Sequence, residues 1–215
     1  MNRTLKTQKQ NLLLLIMFLV MSVCYSQRDI AKWKLQLAVG VNHGFSDGFV
    51  DEVYGKRFNI PTVNIGLQHM FSKTLGAKLD IGYNRFKNGE GVPEFKTNYT
   101  RVNAQLVYDP SMSLGFLPPS MRIVLHAGPG ISFVKPLGNL SENNTTFLNG
   151  LIGSELHYSL SEKVSIYVDG SYVLGFSGKD LTELSEGGLG AFNGNMIYAT
   201  FGISVSLSGC YYCGQ

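Results

Sequence analysis

The sequence predicts an all-β protein, an eight-stranded antiparallel up-and-down transmembrane β-barrel. Apolar and polar residues alternate in about eight separate segments, and a period of two is typical of strands with two different faces. Each segment has about 10 to 12 residues, the length that a tilted strand needs to cross a bilayer. The connections between segments are alternately long and short, as they are in outer-membrane barrels.

The first four segments each divide into an apolar and a polar face. In the third segment, for example, Leu79 and Ile81 alternate with Lys78 and Asp80. The predicted strands of this half are Trp33–Phe45, Thr62–Phe71, Leu75–Phe86 and Tyr99–Tyr108.

The last four segments repeat the pattern. In the seventh, Val168 and Tyr172 share one face while Asp169 and Ser171 share the other. The predicted strands of this half are Arg122–Phe133, Phe147–Tyr158, Lys163–Phe176 and Met196–Leu207. No segment of the mature chain has the 3.6-residue period of an amphipathic helix.

The connections predict how the barrel is oriented. Ser72–Thr74 and Ser159–Lys163 are tight turns, whereas Asp109–Ser120 occupies a short-turn position but is longer and apolar. The long connections are Ser46–Ile60, Lys87–Asn98, Val134–Thr146 and Ser177–Asn195. Since outer-membrane barrels have long extracellular loops and short periplasmic turns, we expect the long connections to face the medium.

A soluble barrel with an apolar cavity is the alternative, and the polar face argues against it. A strand face washed by water is normally rich in lysine and glutamate, but this one is mostly Gly, Ser, Asn, Gln and Thr. The apolar face carries aromatic residues near strand ends, as lipid-facing walls do. These residues are Trp33, Phe45, Phe71, Tyr83, Tyr108, Phe133, Tyr158 and Phe176. The apolar face is therefore predicted to contact lipid.

The polar face also carries charges of both signs, which we expect to form a network inside the barrel. An unpaired buried charge would cost several kcal/mol, so opposite charges are expected to neutralise each other there. The predicted interior charges are Lys34, Lys78, Asp80, Arg101, Arg122, Glu155 and Asp169.

Residues 1–26 resemble a secretory signal peptide. Arg3, Lys6 and Lys9 precede the apolar stretch Leu12–Val23, and cleavage is expected after Ser26. This stretch is shorter than the roughly 20 residues of a transmembrane anchor, and Val23 is too large for a lipobox that would use Cys24. The predicted organisation is a signal peptide at 1–26, an outer-membrane barrel at 27–208 and a short periplasmic tail at 209–215.

Cleavage would leave a chain with balanced charge. Three of the 18 basic residues lie in the leader and none of the 15 acidic residues does, so 15 of each sign remain. Such a balance does not favour a nucleic-acid partner.

Cys210 and Cys213 are the only cysteines left after cleavage. Two close thiols in an oxidising periplasm usually pair, so a local disulfide is the first interpretation. Intermolecular linkage, metal binding and redox chemistry are the alternatives, and a lone C-x-x-C motif is weak evidence for zinc.

Two features resemble a known family. The stretch "TFGISVSL" resembles the C-terminal signal read by the barrel-assembly machinery, with Thr200, Gly202, Val205 and Leu207 at the characteristic positions. The stretches "GAKLDIGYNRF", "NYTRVNAQLVYDP" and "SEKVSIYVDGSYVLGFSG" resemble the N-terminal barrel of OmpA-family proteins of the Bacteroidota type, over about residues 33–207. The family often continues into a peptidoglycan-binding domain, but this chain stops at Gln215, so peptidoglycan binding is not expected.

Eight strands enclose a space that side chains fill, so a wide pore is not expected. The predicted function is that of a non-enzymatic integral outer-membrane protein, either structural or an accessory subunit of an envelope assembly. The expected partners are outer-membrane lipid, the barrel-assembly machinery during insertion, and other outer-membrane or periplasmic proteins. No catalytic, cofactor-binding or metal-binding residue is predicted.

Two other functions remain open. A lipid-modifying enzyme would need a base and a nucleophile near the outer rim, and His43, Ser46 and Asp47 are the candidates. A narrow channel for small solutes is the second.

Overall fold

The computed structural model describes residues 32–50, 52–176 and 188–208. Eight strands account for most of this part of the chain. They are β1 (Trp33–Gly44), β2 (Asn59–Met70), β3 (Leu75–Lys87), β4 (Lys96–Tyr108), β5 (Met121–Pro136), β6 (Thr145–Ser159), β7 (Val164–Phe176) and β8 (Met196–Ser206). The predicted signal peptide, the predicted tail with Cys210 and Cys213, and part of the β7–β8 connection lie outside the described residues.

The strands form one closed antiparallel barrel in sequence order, β1 to β8. Each strand pairs with the next, and β1 pairs with β8 from Lys34↔Ser206 to Gly44↔Met196. Closure satisfies the backbone N–H and C=O groups at both edges, which a strand in lipid requires. The predicted fold class is confirmed.

The alternation in the sequence becomes an outer and an inner face. On β8, Ile197, Phe201 and Ile203 are exposed on the wall, whereas Tyr198 and Thr200 are buried inside. The same parity runs through all eight strands, so the exposed apolar side chains form a continuous outer band. A monomer in water rarely exposes so large an apolar surface, whereas the acyl chains of a membrane can cover it.

Four connections meet at one end of the barrel, which we call the long-loop end because it carries the two longest, β1–β2 and β7–β8. The other three meet at the opposite end, the short-turn end, where the β4–β5 connection is longer than the two tight turns. Three short 3-10 helices lie in the described parts of the connections, Ser46–Gly48, Ser111–Ser113 and Gly138–Asn143. None of the described helices is long and apolar enough to cross a membrane.

Strand β5 is longer than predicted, because it continues to Pro136 on the long-loop side. Its pairing with β4 is interrupted between Asn103↔Gly130 and Leu106↔Ala127. Pro129 lies in this gap, and a proline has no N–H to donate to the neighbouring strand.

Candidate functional site

The barrel interior contains the groups that could do chemistry, and it has two parts. The middle holds a set of charged and amide side chains that we call the polar layer, which comprises Gln36, Lys78, Asp80, Arg101, Asn103, Glu155, His157 and Asp169. All of these side chains point inward because each lies at an inward position of its strand, and all are buried.

Glu155 of β6 forms the first centre of the polar layer. Its Oε1 lies 2.6 Å from Lys78 Nζ, which forms an ion pair between β6 and β3. Its Oε2 accepts a hydrogen bond from Gln36 Nε2 at 3.0 Å and lies 2.6 Å from His157 Nε2. A carboxylate with three partners is well compensated for its loss of water.

Arg101 of β4 forms the second centre. Its guanidinium pairs with Asp80 and donates to Asn103 Oδ1 at 3.1 Å and to Asn64 Oδ1 at 3.2 Å. It also lies over the ring of Tyr198, 4.7 Å from the centroid, a distance at which a cation is attracted to an aromatic face. Arg101 therefore links three strands and one aromatic ring.

A third group could hold a metal ion. Ligand atoms of His126, Glu155 and Asp169 lie within 4.8 Å of one another, and all three residues are buried. His126 Nε2 is 3.4 Å from Asp169 Oδ1, and Ser171 Oγ donates to the same carboxylate at 2.7 Å. A metal ion here would have to compete with Lys78 for Glu155 and with Ser171 for Asp169.

Two of the seven predicted interior charges lie nearer the short-turn end. Lys34 of β1 is buried, and in the strand register it pairs with Gln68 of β2 and with Ser206 of β8. Arg122 is half-buried, and its guanidinium donates to Asp109 Oδ2 at 3.3 Å. Asp109 is the first residue of the β4–β5 connection, and it was not among the predicted interior charges.

Towards the long-loop end the interior is aromatic rather than polar. The prediction of small polar residues and paired charges does not describe this half. The residues concerned, which we call the aromatic plug, are Phe49, Phe86, Phe95, Tyr99, Phe147 and Phe192, all buried in one apolar cluster. The plug leaves little room for water in this part of the interior.

Two connections supply the centre of the plug. Phe192, from the β7–β8 connection, lies 4.7 Å from the ring of Phe49 in the β1–β2 connection and 4.6 Å from Phe86 on β3. Asn193 N donates to Gly48 O at 2.8 Å, and Asn193 Nδ2 donates to Asp47 O at 3.1 Å. The two connections therefore fold into the barrel together.

Gly48 permits this approach. A Cβ at this position would lie 2.6 Å from the ring of Phe192, which is closer than real Cβ contacts come. The signal for the plug was present in the parity of Phe86, Tyr99 and Phe147, which lie at inward positions of their strands.

The candidates for enzymatic chemistry lie at the rim. His43 is on the outer face of β1 and contacts Phe45, with 5.4 Å between ring centroids. Its Nδ1 is buried without a hydrogen-bond partner. Among the described residues, no hydrogen bond joins His43 to Ser46 or Asp47. The three residues are not assembled as a base and a nucleophile in this structure.

The residues of the predicted assembly signal lie on both faces of β8. Thr200 and Gly202 point into the barrel, while Val205 and Leu207 are exposed on the outer wall. Their role in insertion remains a prediction.

No protein-family profile and no curated protein matches the chain. Several solved structures match the chain. The neisserial surface protein A is 15% identical, with a TM-score of 0.54, and the match covers 83% of this chain and 98% of that protein. Two proteins of Pseudomonas aeruginosa have lower scores. These are the outer membrane protein OprG (12% identity, TM-score 0.48, 83% and 98% covered) and the N-terminal β-barrel domain of OprF (11%, 0.46, 80% and 96%).

The likeness to the neisserial protein shows the fold. The chain is a small eight-stranded barrel, and its continuous apolar outer wall agrees with a location in the bacterial outer membrane. The predicted location is confirmed.

Proposed function

We propose that the protein is a non-enzymatic structural or accessory subunit of an outer-membrane assembly, which acts through the two ends of the barrel. The observation that carries this proposal is the filled interior. The aromatic plug occupies the long-loop half and the polar layer occupies the middle. Transport through such an interior would require both parts to rearrange, so the ends and the outer wall are the surfaces available for function.

The short-turn end offers an apolar contact surface in the connection between β4 and β5. Phe116 is 76% exposed and Met112 is 53% exposed, while Leu114 and Leu117 are half-buried. Phe116 therefore does not fill the mouth of the barrel. Exposed aromatic and methionine side chains are typical of protein contacts.

The long-loop end offers a second surface. Tyr54 and Phe58 are exposed in the β1–β2 connection, and the Arg57 guanidinium lies 5.9 Å from the ring of Phe58. Together with Gly89 and Glu90, these residues line a shallow cavity of about 470 Å³. Aromatic residues and arginine are enriched where proteins meet.

We also propose that the chain is an OmpA-like barrel of the Bacteroidota type and that its N-terminal residues are a signal peptide. Both rest on the sequence stretches described above. His43 and Ser46 line one cavity, but among the described residues no hydrogen bond joins His43 to Ser46 or Asp47, which is the reason for preferring a non-enzymatic role.

Extraction of native membranes in mild detergent tests the accessory-subunit role. We expect the barrel to co-purify with a stable partner, and the double variant Met112→Ser/Phe116→Ser to lose it. Leu160→Ser is the control, because Leu160 is comparably exposed in another turn at the same end, the β6–β7 turn. Retention of the partner by the double variant would remove this surface from the proposal, and a solitary barrel would leave only the structural role.

Two further measurements address the alternatives. Single-channel steps in planar bilayers would contradict a filled interior and favour a narrow channel. Altered lipid A in membranes lacking the protein, restored by wild type but not by His43→Ala, would favour a lipid-modifying enzyme.

A further inference from the structure

Four basic side chains lie on the outer wall at the long-loop end, and we call them the basic belt. They are Arg85 and Lys87 on β3, Lys96 on β4 and Lys135 on β5. All four are at outward positions; the three lysines are exposed and Arg85 is half-buried. They are therefore separate from the buried charges of the polar layer.

The strand register brings the belt together. Lys87 pairs with Lys96 across β3 and β4, while Asn98 pairs with Arg85 on one side and with Lys135 on the other. Neighbouring strands are about 4.8 Å apart, so the four cations share a small patch of wall. Like charges at this spacing repel one another, and an anion would relieve that repulsion.

Arg85 is held in place rather than free in solvent. Its Nε donates to Asn98 Oδ1 at 2.9 Å, and its NH2 donates to Tyr83 Oη at 2.8 Å. The Tyr83 hydroxyl donates to the same Asn98 oxygen at 2.8 Å. The guanidinium is thus oriented before any ligand arrives, which lowers the entropy cost of binding.

The belt lies at the level of lipid headgroups. Below it on the same strands are the exposed apolar side chains of Ile81, Val102 and Ile131. Tyr83 and Phe133 lie between the apolar band and the belt, at the level where aromatic rings meet the membrane surface. A cation just beyond such rings reaches the phosphate region of the outer leaflet.

The other side of the barrel has no such feature. The long-loop halves of β6, β7, β8 and β1 contain no lysine or arginine in the described residues; their outward positions include Leu148, Leu174, Phe176, Ile197 and Val41. A general requirement for solubility at the rim would not place cations on one side only. The asymmetry indicates a specific anionic ligand.

Nearby charges modify the belt without cancelling it. Glu94 lies 3.5 Å from Lys96, and both side chains are largely exposed, so this pair is weak. Lys56 and Arg57 extend the positive region, since Lys56 N donates to Lys87 O at 2.8 Å. Glu90 lines the same cavity as Lys56 and Arg57, so Glu90 and Glu94 offset part of the positive charge, but the basic residues around the belt still outnumber these two acids.

We propose that the basic belt binds the phosphate groups of a phosphorylated glycolipid in the outer leaflet. Arginine presents a planar fork that matches phosphate oxygens, and lysines add point charges around it. The apolar band below the belt would contact the acyl chains of the same molecule. A lipid therefore fits both halves of the surface, whereas a soluble anion fits only the belt.

Lipid binding by the purified, refolded barrel tests the proposal. The variant Lys87→Gln/Lys96→Gln/Lys135→Gln removes three charges of the belt. The control Lys32→Gln/Lys73→Gln/Lys163→Gln removes three charges at the short-turn end, where all three residues lie outside the strands. The folded state of each protein is checked by its heat-sensitive mobility on gels.

The probes are bisphosphorylated lipid A, its dephosphorylated form and inorganic phosphate, and retained lipid is measured by native mass spectrometry from detergent micelles. We expect the belt variant to bind bisphosphorylated lipid A at least about tenfold more weakly than wild type, since each basic group near a charged lipid surface contributes measurably. The control variant should bind as wild type does. Equal binding of the dephosphorylated lipid, or an equal loss in the control, would overturn the proposal, and tight binding of inorganic phosphate alone would overturn the choice of a lipid.

Discussion

The aromatic plug and the polar layer fill the same barrel by opposite means. The plug combines side chains from three connections, Phe49, Phe95 and Phe192, with inward-facing rings of the strands, and it contains no ion pair. The polar layer uses strand residues only, and its charges are neutralised by partners on other strands, as Lys78 is by Glu155. One region is assembled from the loops inward, whereas the other is fixed as soon as the strands are in register.

This difference shows how each region depends on the barrel. An aromatic cluster tolerates small shifts because dispersion and burial have little directionality. A buried ion pair tolerates almost none, because its loss of hydration is recovered only at short distances and with further hydrogen bonds. We therefore expect the polar layer to control the register of the strands and the plug to control the position of the connections.

The largest effect is expected from Glu155→Gln. The substitution keeps the shape of the side chain but leaves the buried Lys78 ammonium without its nearest counter-charge. We expect a loss of about 3–5 kcal/mol in the free energy of unfolding, measured by denaturant titration in lipid vesicles with the fluorescence of Trp33, the only tryptophan. The double variant Lys78→Met/Glu155→Leu should recover most of the loss. A loss below about 1 kcal/mol would show that the polar layer does not depend on this pair.

A somewhat smaller effect is expected from Phe192→Ala. The substitution empties the centre of the plug, where Phe192 contacts Phe49, Phe86 and Tyr99. We expect about 3 kcal/mol of destabilisation from lost burial and the remaining cavity, in the same titration. Phe192→Leu should cost clearly less. If both variants unfold as wild type does, the plug packs too loosely to contribute.

The smallest effect is expected at the junction of the two regions. Ser132 Oγ lies 2.7 Å from the Tyr99 hydroxyl of the plug and accepts a hydrogen bond from Asn149 Nδ2 at 2.7 Å. Ser132→Ala leaves buried polar groups unpaired and should cost about 2 kcal/mol. In a double-mutant cycle with Tyr99→Phe, the two losses should not add, because both remove the same hydrogen bond. Strict additivity would mean that the two regions are not coupled here.

The walls of the barrel could be predicted because they follow a local rule. Residues on each strand alternate between lipid and interior, so Val205 and Leu207 could be placed on the outer wall from the sequence alone. Strand ends were less accurate. β2 begins three residues earlier than predicted, at Asn59, and β5 ends three residues later, at Pro136.

The plug could be predicted only in part. The inward positions of Phe86, Tyr99 and Phe147 follow from strand parity, and aromatic residues on an otherwise polar face were a signal of it. Phe49 and Phe192 lie in connections, where no period indicates whether a side chain points into the barrel or towards solvent. Their burial depends on two connections that are distant in sequence and meet only in the folded state.

The seam between β1 and β8 closes the barrel. Its hydrogen bonds join the start of the barrel to its end, as in the bond from Trp33 N to Ser208 Oγ across 175 positions. Until the last strand has been exported, the first strand has an edge without a partner, and such an edge is not tolerated among acyl chains. A truncation that removes β8 would therefore leave this edge of β1 unpaired and prevent closure of the whole cylinder, rather than causing a local defect.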